Sequence, residues 1–448
     1  MEDHDGTGSL RSLFWAHPLL SLCIIASALR LLLAPFFTYD FDVYHWGIIL
    51  ENFQSGNGLY QVAGYYYTPV WGYILGFISV IQNMFLNMDA YGWKITALIP
   101  MEMLNCRYHI SVETTIQFIM SMKVPLIICD IVVAYLLFWI VKERGDVRKA
   151  TYAAALWLFC PTVVYMSGVQ VQFDTISALF MLITTILVYR DRCFLAGMMF
   201  AVSVLLKFFP GFCILVLIGY VYAKHRGDGR YLNRIMQSLL GAAIMALVII
   251  IPQIMDGTVY DSLSFVIGRM GSPTDLISQL QSYTGILIAL CGMVWFGMKM
   301  FRSRNDPDSD LFLCLFGALA SSMLISSTPQ YMIVVMPLLI YHMVICDRRF
   351  WICWLLISLG TFEAAISINN FSLLASLSAY TGLVDPATVI GLMQGMESAI
   401  FLGMDLVVFL NSTGCYFCII GFILVLLLLF EEQVAKAFPP FGRWMKKL

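Results

Sequence analysis

The sequence predicts an all-α, polytopic membrane protein of about twelve transmembrane helices, with a long first outer loop that carries interfacial helices. Three observations predict it. The 448 residues are 60% hydrophobic and only 12% charged, with a mean hydropathy of +0.82, so much of the chain calls for lipid around it. Apolar windows near the roughly 20 residues of an upright span recur along its length. Basic residues collect in alternate loops, as the positive-inside rule requires.

The windows fall at 17–37, 116–141, 150–168, 174–189, 194–208, 209–223, 235–252, 284–299, 311–326, 330–346, 350–368 and 404–430. The two short ones, 194–208 and 209–223, meet at Lys207-Phe208-Phe209-Pro210-Gly211 and read equally as one bent helix. With the N-terminus in the cytoplasm, the inner loops gather Arg144, Arg148 and Lys149, then Lys224, Arg226, Arg230 and Arg234, then Lys299, Arg302 and Arg304. The outer loops hold only Lys94, Arg107 and Arg269, while Arg30, Lys123 and Lys207 fall inside spans. An even number of spans places both termini in the cytoplasm. The first apolar run follows acidic, polar residues 2–6 and is long enough to remain as a span, so no cleaved signal is expected. Nearly all of the 12 cysteines lie in or beside spans, which predicts no disulfide framework. Cys415 and Cys418 form a CxxC at the start of an apolar helix, where small buried apolar residues are the simpler reading.

The first outer loop, 38–115, contains an apolar stretch, Tyr65 to Phe85, that hydropathy alone would make a span. Counting it would put Lys142 to Lys149 outside, so the stretch is expected to lie on or dip into the outer leaflet, entered at Thr68-Pro69. Loops 253–283 and 369–403 are the other long outer ones. This elaboration of one face and one loop differs from the paired broken helices expected of transporters built from repeats. It suits an enzyme at the outer or lumenal surface working on lipid-linked substrates. No basic patch points to nucleic acid.

Candidate chemistry begins at Thr38-Tyr39-Asp40-Phe41-Asp42-Val43-Tyr44-His45-Trp46, where two carboxylates sit as the first span leaves the bilayer. In an extended segment they would share a side; in a helix they would diverge. An aromatic belt with ordinary loop acids is the plainer alternative. Next come Ser55-Gly56-Asn57-Gly58-Leu59-Tyr60 and Gly64-Tyr65-Tyr66-Tyr67-Thr68-Pro69. A turn follows with Gln170, Gln172 and Asp174, whose polar groups suit either sugar hydroxyls or, for Asp174, capping of the next helix. Arg30 and Lys207 are charges inside spans, costly unless they face a cavity or a partner, although snorkelling is an equal alternative for Arg30. Lys123 and Asp130, seven apart on one helix face, read as structural groups with partners elsewhere. Glu363 is a further acid inside a span.

In order and spacing, the acidic motif after the first span, the Gly58-Leu59-Tyr60 and Tyr67-Thr68-Pro69 motifs, the Gln172-Phe173-Asp174 turn and Lys207 ahead of Pro210 resemble the C-type glycosyltransferase superfamily. They are most similar to its polyprenol-phosphate-mannose-dependent mannosyltransferases, the branch that includes the GPI-anchor first mannosyltransferases. The resemblance spans about residues 20–220; beyond it only Thr328-Pro329-Gln330-Tyr331 and Pro337 match, and generically. It implies a module at 1–252 that carries the chemistry and a second, 253–448, that shapes the acceptor site. The implied reaction is transfer of a hexose, mannose above all, from a polyprenyl or dolichyl phosphate to a lipid- or glycan-linked acceptor, with inversion. Asp40 would be the base, with Asp42 beside it in catalysis, in sugar contact or as a metal ligand. A carboxylate pair can hold Mg2+ or Mn2+, and relatives differ in needing one. Arg30, Lys207 and Arg269 would hold the donor phosphate, while His45, Tyr60, Tyr67 and Gln172 are candidates for substrate contact. Two rival readings stand beside this one: a transporter or lipid flippase, marked by ion coupling, and a glycan polymerase or ligase, marked by a lipid-diphosphate donor. The plasma membrane of a prokaryote and the endoplasmic reticulum are both open, with the site on the outer or lumenal face.

Overall fold

The computed structural model describes residues 16–61, 65, 67–85, 94–96, 111–113, 115–261, 276–304, 306–323, 329–431 and 435–436. Nearly all of them are helical. The chain enters through α1 (Pro18–Leu33), α2 (Asp40–Gln54) and α3 (Pro69–Phe85), then runs through α4 (Ile116–Arg144), α5 (Val147–Leu158) and α6 (Pro161–Tyr165). A π-helical turn, Met166–Gln170, leads to α7 (Asp174–Tyr189) and α8 (Cys193–Val204). A 3-10 turn, Phe209–Cys213, precedes α9 (Ile214–His225), α10 (Tyr231–Asp256), α11 (Leu276–Arg302) and α12 (Pro307–Ser322). The 3-10 turn Pro329–Val334 opens the last group: α13 (Met336–Ile345), α14 (Trp351–Asn369), α15 (Ala375–Thr381), α16 (Pro386–Ser398) and α17 (Leu406–Leu429). Strand occurs only as two small antiparallel pairs among the described residues, Lys94–Thr96 with Ser111–Glu113 and Ile400–Phe401 with Met404–Asp405.

The predicted windows reappear as helices, but fewer than twelve of them are long. Five described helices are long and apolar enough to cross a membrane, or six when the bent pair Val147–Leu158 and Pro161–Gln170 counts as one span. That pair turns by 49° where Pro161 removes a backbone donor. The other apolar helices have 10–17 residues and reach only about 15–25 Å at 1.5 Å per residue. The windows 194–208 and 209–223 form separate helices, parted by Leu205 to Phe208 and the 3-10 turn around Pro210.

The two ends of the bundle differ chemically. At one end the last turns of α4, α7 and α9 meet the start of α12. Arg144 reaches Asp308 at 2.6 Å and the Tyr189 hydroxyl at 3.1 Å, Tyr220 donates to Asp308, and Lys224 donates to the Tyr189 carbonyl. Cations at helix C-termini complement the helix dipoles, and this is the end that the charge rule assigns to the cytoplasm. At the opposite end lie the start of α7, the end of α8 and the start of α2.

The contacts of α3 all lie toward this second end. Val70 N–H bonds the Leu205 carbonyl just past α8, Tyr73 donates to Ile249 near the end of α10, and Gln82 donates to Ser121 in the second turn of α4. Its free side shows Phe77, Val80, Met84 and Phe85. Small residues elsewhere allow backbones to touch, as is usual in apolar bundles. A Cβ on Gly360 of α14 would lie 2.5 Å from the Gly414 carbonyl of α17. The largest apolar core runs from Leu22 to Val425, through both halves of the chain.

Candidate functional site

The site is organised by the turn between α6 and α7. After Pro161 restarts the helix, the backbone widens into the π-turn Met166–Gln170 and then reverses at Val171. Val171 has φ +59°, a left-handed conformation that a β-branched residue rarely adopts. Such a residue persists only where its surroundings over-determine it. Gln172 N–H bonds the Met166 carbonyl at 3.0 Å, and the buried indole of Trp46 donates to the Val171 carbonyl at 3.3 Å. The reversal leaves Gln170, Gln172 and Asp174 buried side by side in sequence.

Beneath the turn lies an ion pair with no exposed surface. Arg30 Nε donates to Asp130 at 2.9 Å and to Ser167 at 3.3 Å, while Ser167 and Thr175 both donate to Asp130. Trp157 bonds the Asp130 backbone carbonyl. Helices α1, α4 and α5 are thereby tied to Ser167 of the π-turn and Thr175 of α7. Lys123 does a parallel job nearer the start of α2. Its ammonium caps the end of α1 through the carbonyls of Ala34 and Phe37, each at 2.7 Å, and reaches the Thr38 hydroxyl. This fixes the chain as it enters the acidic motif.

That motif is helical. Asp40 is the first residue of α2, so Asp40 and Asp42 diverge by about 200° around the helix. Only the backbone of Asp40 is described. Asp42 is buried and accepts a hydrogen bond from Gln172 Nε2 at 2.6 Å. Burial pushes its carboxyl up to about 7; the Gln172 bond and the Lys207 charge act against that rise, and the Asp174 charge adds to it. Lys207 N–H closes the last turn after α8, where Pro210 prevents the helix from continuing. Its ammonium sits 3.4 Å from Asp174 and within 5.2 Å of the ring centres of Tyr67, Phe173 and Tyr331. A desolvated ammonium over aromatic faces is favourable. Its hydrogen-bonding capacity is unused among the described residues. Trp71 stacks on Phe173 at 4.7 Å and Trp46 packs edge-on to both, closing the apolar side.

The predicted site residues therefore separate. Asp42, Tyr67, Gln172 and Lys207 come together. His45 stands beside them, its ring 5.0 Å from Trp46 and 6.4 Å from Tyr67, and burial pushes its imidazole down to about 4, so it is neutral at physiological pH. Tyr60 works within its own loop, donating to the Tyr67 carbonyl at 2.7 Å. Arg30 neither snorkels nor faces the mouth of the site; its guanidinium is turned to Asp130. Arg269 lies outside the described residues. Asp174 corrects an expectation. The N-cap position belongs to Phe173, which makes no side-chain cap, and Asp174 is the next residue, with its carboxylate turned to Lys207. Tyr331 stood in the sequence only as part of a generic family match, and the Asn369–Tyr165 pair was not expected; both bring residues of the second half of the chain to the site. For Tyr331, its place after Pro329-Gln330 was the available signal.

Among the described residues no three His, Cys, Asp or Glu side chains converge as metal ligands do. The expected Mg2+ or Mn2+ would rest on Asp42 and on Asp40, whose side chain lies outside those described. No step below is routed through one.

The fold and site together define a nearly all-α multi-pass membrane protein with a buried acid–amide–lysine cluster at one end of the bundle. Residues 108–255 match the model of the dolichyl-phosphate-mannose-protein mannosyltransferase family, which lies within the C-type glycosyltransferase superfamily. The match covers α4 through α10, including the turn, Asp174 and Lys207. The match covers about a third of the chain, and over that stretch the chain is similar to the family. No curated protein matches the chain.

Proposed function

We propose that the chain transfers a hexose, mannose in the first instance, from a polyprenyl or dolichyl phosphate to a glycan- or lipid-linked acceptor. The reaction takes place at the outer or lumenal end of the bundle. The observation that supports this most is Lys207, a buried ammonium whose donors are unused among the described residues, placed beside two carboxyl groups.

The polyprenyl carrier leaves the sugar as a phosphate monoester, so no acid is needed to protonate the departing oxygen. Positive charge must meet the phosphate instead, and Lys207 supplies it at a place already stripped of water. The acceptor hydroxyl needs one base. Asp42 answers that need, because burial holds its carboxyl near neutrality, where a base both ionises and accepts protons effectively. Gln172 orients it from one side. Asp40, which the family resemblance makes the base, stands in the same first turn of α2 and is to be tested beside it. Attack opposite the leaving phosphate inverts the anomeric centre. The C–O bond to phosphate breaks as the new glycosidic bond forms, and the acceptor proton moves to the carboxylate.

Lys207 also supplies the charge that a cation would otherwise bring. Transfer in EDTA is therefore expected to stay within about twofold of the untreated rate, against the many-fold losses that follow removal of a catalytic metal. Loss on chelation, restored by Mn2+ or Mg2+, would instead make the Asp40–Asp42 pair a cation site. The deciding assay is transfer from polyprenyl-phosphate mannose by purified protein in nanodiscs. Absence of transfer from monophosphate donors, with turnover of a lipid-diphosphate sugar, would replace this reading with the ligase one.

A further inference from the structure

At the opposite end of the bundle, α11, α12 and α17 enclose a groove that the transfer chemistry does not use. Its inner part is a cavity of about 310 Å³ lined by apolar side chains, among them Ile288, Trp295, Phe296, Phe422 and Leu426. It continues, through the shared walls of Trp295, Phe296, Leu429 and Phe430, into a second cavity of about 410 Å³ that is bordered by Lys299, Arg302, Ser303 and Asp310. Lys299 and Arg302 are three residues apart on α11 and so share a face. Among the described residues neither forms an ion pair, although Asp310 is close; that carboxylate accepts from Ser303 at 2.7 Å.

The rim of the apolar part opens sideways. Ile288, Trp295 and Leu426 are between 41% and 56% exposed. On a protein that crosses a bilayer, this surface meets acyl chains. The cations lie at the end of α11, level with the Arg144–Asp308 cluster at the start of α12, where the headgroups of the cytoplasmic leaflet would be. Trp295, packed 5.6 Å from Phe430, marks the boundary between the two regions, a depth at which indoles are favoured.

We propose that this groove binds one anionic phospholipid from the cytoplasmic leaflet, with a chain along Ile288–Leu426 and its phosphate on Lys299 and Arg302. Charge complementarity selects the occupant: two neighbouring cations that form no ion pair among the described residues, at the mouth of an apolar slot, match a phosphate with a chain attached. A zwitterionic lipid would bring its own cation to the same place. The lipid would fill the seam between α11 and α17 and hold α17 against the bundle. The proposal rests on the membrane-spanning reading alone, and its readout does not involve sugar transfer.

The test is native mass spectrometry of the delipidated full-length protein with phosphatidylglycerol or phosphatidylcholine in matched micelles. Two basic side chains are expected to favour the anionic lipid roughly 10- to 30-fold. Lys299→Gln/Arg302→Gln should lower phosphatidylglycerol to the level of phosphatidylcholine. Equal retention of the two lipids by the unmodified protein, or unchanged selectivity in the double variant, would overturn the proposal. So would complete displacement of the lipid by millimolar inorganic phosphate, which would assign the cations to a free anion. Should the double variant not purify as a folded protein, brominated phosphatidylglycerol is used on the unmodified chain. It should quench more fluorescence than brominated phosphatidylcholine, and Trp295→Phe should remove that difference. A difference that survives Trp295→Phe refutes the site.

Discussion

Lys207 and Asp42 carry opposite demands on one small volume, and each can be tested by a near-isosteric change. Lys207→Met keeps the stem among Tyr67, Phe173 and Tyr331 but removes the charge. Transfer is expected to fall by about 10²- to 10³-fold, the usual scale for loss of one preorganised electrostatic group, in protein that still elutes as a folded species. Asp42→Asn should cost on the order of 10²- to 10⁴-fold. In the parent enzyme kcat/KM should rise with pH to a limb near 7, because only the ionised carboxylate accepts a proton; this limb should vanish in the variant. Should Asp40→Asn, not Asp42→Asn, abolish transfer and the limb, Asp40 is the base. Stability gives an independent reading. The folded carboxyl titrates at about 7 against an ordinary value of 3.8, so the unfolded chain releases its proton first as pH rises. The contribution of Asp42 to stability is therefore complete below about pH 4 and is lost as pH rises through 7. Asp42→Asn should narrow the difference in thermal midpoint between pH 5 and pH 8; an unchanged difference would argue against the shift.

At the scale of elements, the turn before α7 stands on the Arg30–Asp130 pair. Breaking one partner of a fully buried pair leaves an uncompensated charge and typically costs about 3–5 kcal/mol. Asp130→Asn should therefore unfold at distinctly lower temperature, and Arg30→Met/Asp130→Leu should recover much of the loss. A double variant as unstable as the single one would show that the hydrogen bonds from Ser167 and Thr175 matter more than the charges. The apolar windows were legible because lipid imposes length and composition on each helix separately. This pair was not, because its members are 100 residues apart and nothing local names the partner. Asp174 was misread for a related reason. A carboxylate at a helix start has a sufficient local explanation in capping, and only the fold brings Lys207 to it. Gln172 and Lys207 stood out as polar groups against apolar runs. The left-handed Val171 is neither Gly nor Asn, so no residue type announces the reversal.

For the whole molecule, the central question is which segments cross. The contacts of α3 with Leu205, Ile249 and Ser121 place it at the end opposite the Arg144–Asp308 cluster, which the charge rule, applied to the basic run Lys142 to Lys149, would make the outer one. Single cysteines on a background without reactive thiols provide the test. Asn87→Cys and Asp89→Cys should react with impermeant maleimide from the outer face only, and Gly227→Cys from the cytoplasmic face only. Cytoplasmic labelling at Asn87 would make α3 a span and reverse the order of everything after it. The asymmetry of the two ends bears on the rival readings. A transporter needs comparable access from both, whereas here one end holds acids, amides and Lys207 and the other a lattice of ion pairs.

The aromatic enclosure of Lys207 has a consequence for turnover. On the proposed reaction the donor is a phosphodiester with one negative charge, and the spent carrier is a monoester with about 1.5 to 2. The ammonium that eases departure of the sugar therefore grips the exhausted lipid more tightly than the fresh one. Carrier exchange, rather than glycosidic bond formation, would set the pace at saturating acceptor, and polyprenyl phosphate would compete with its own mannosylated form.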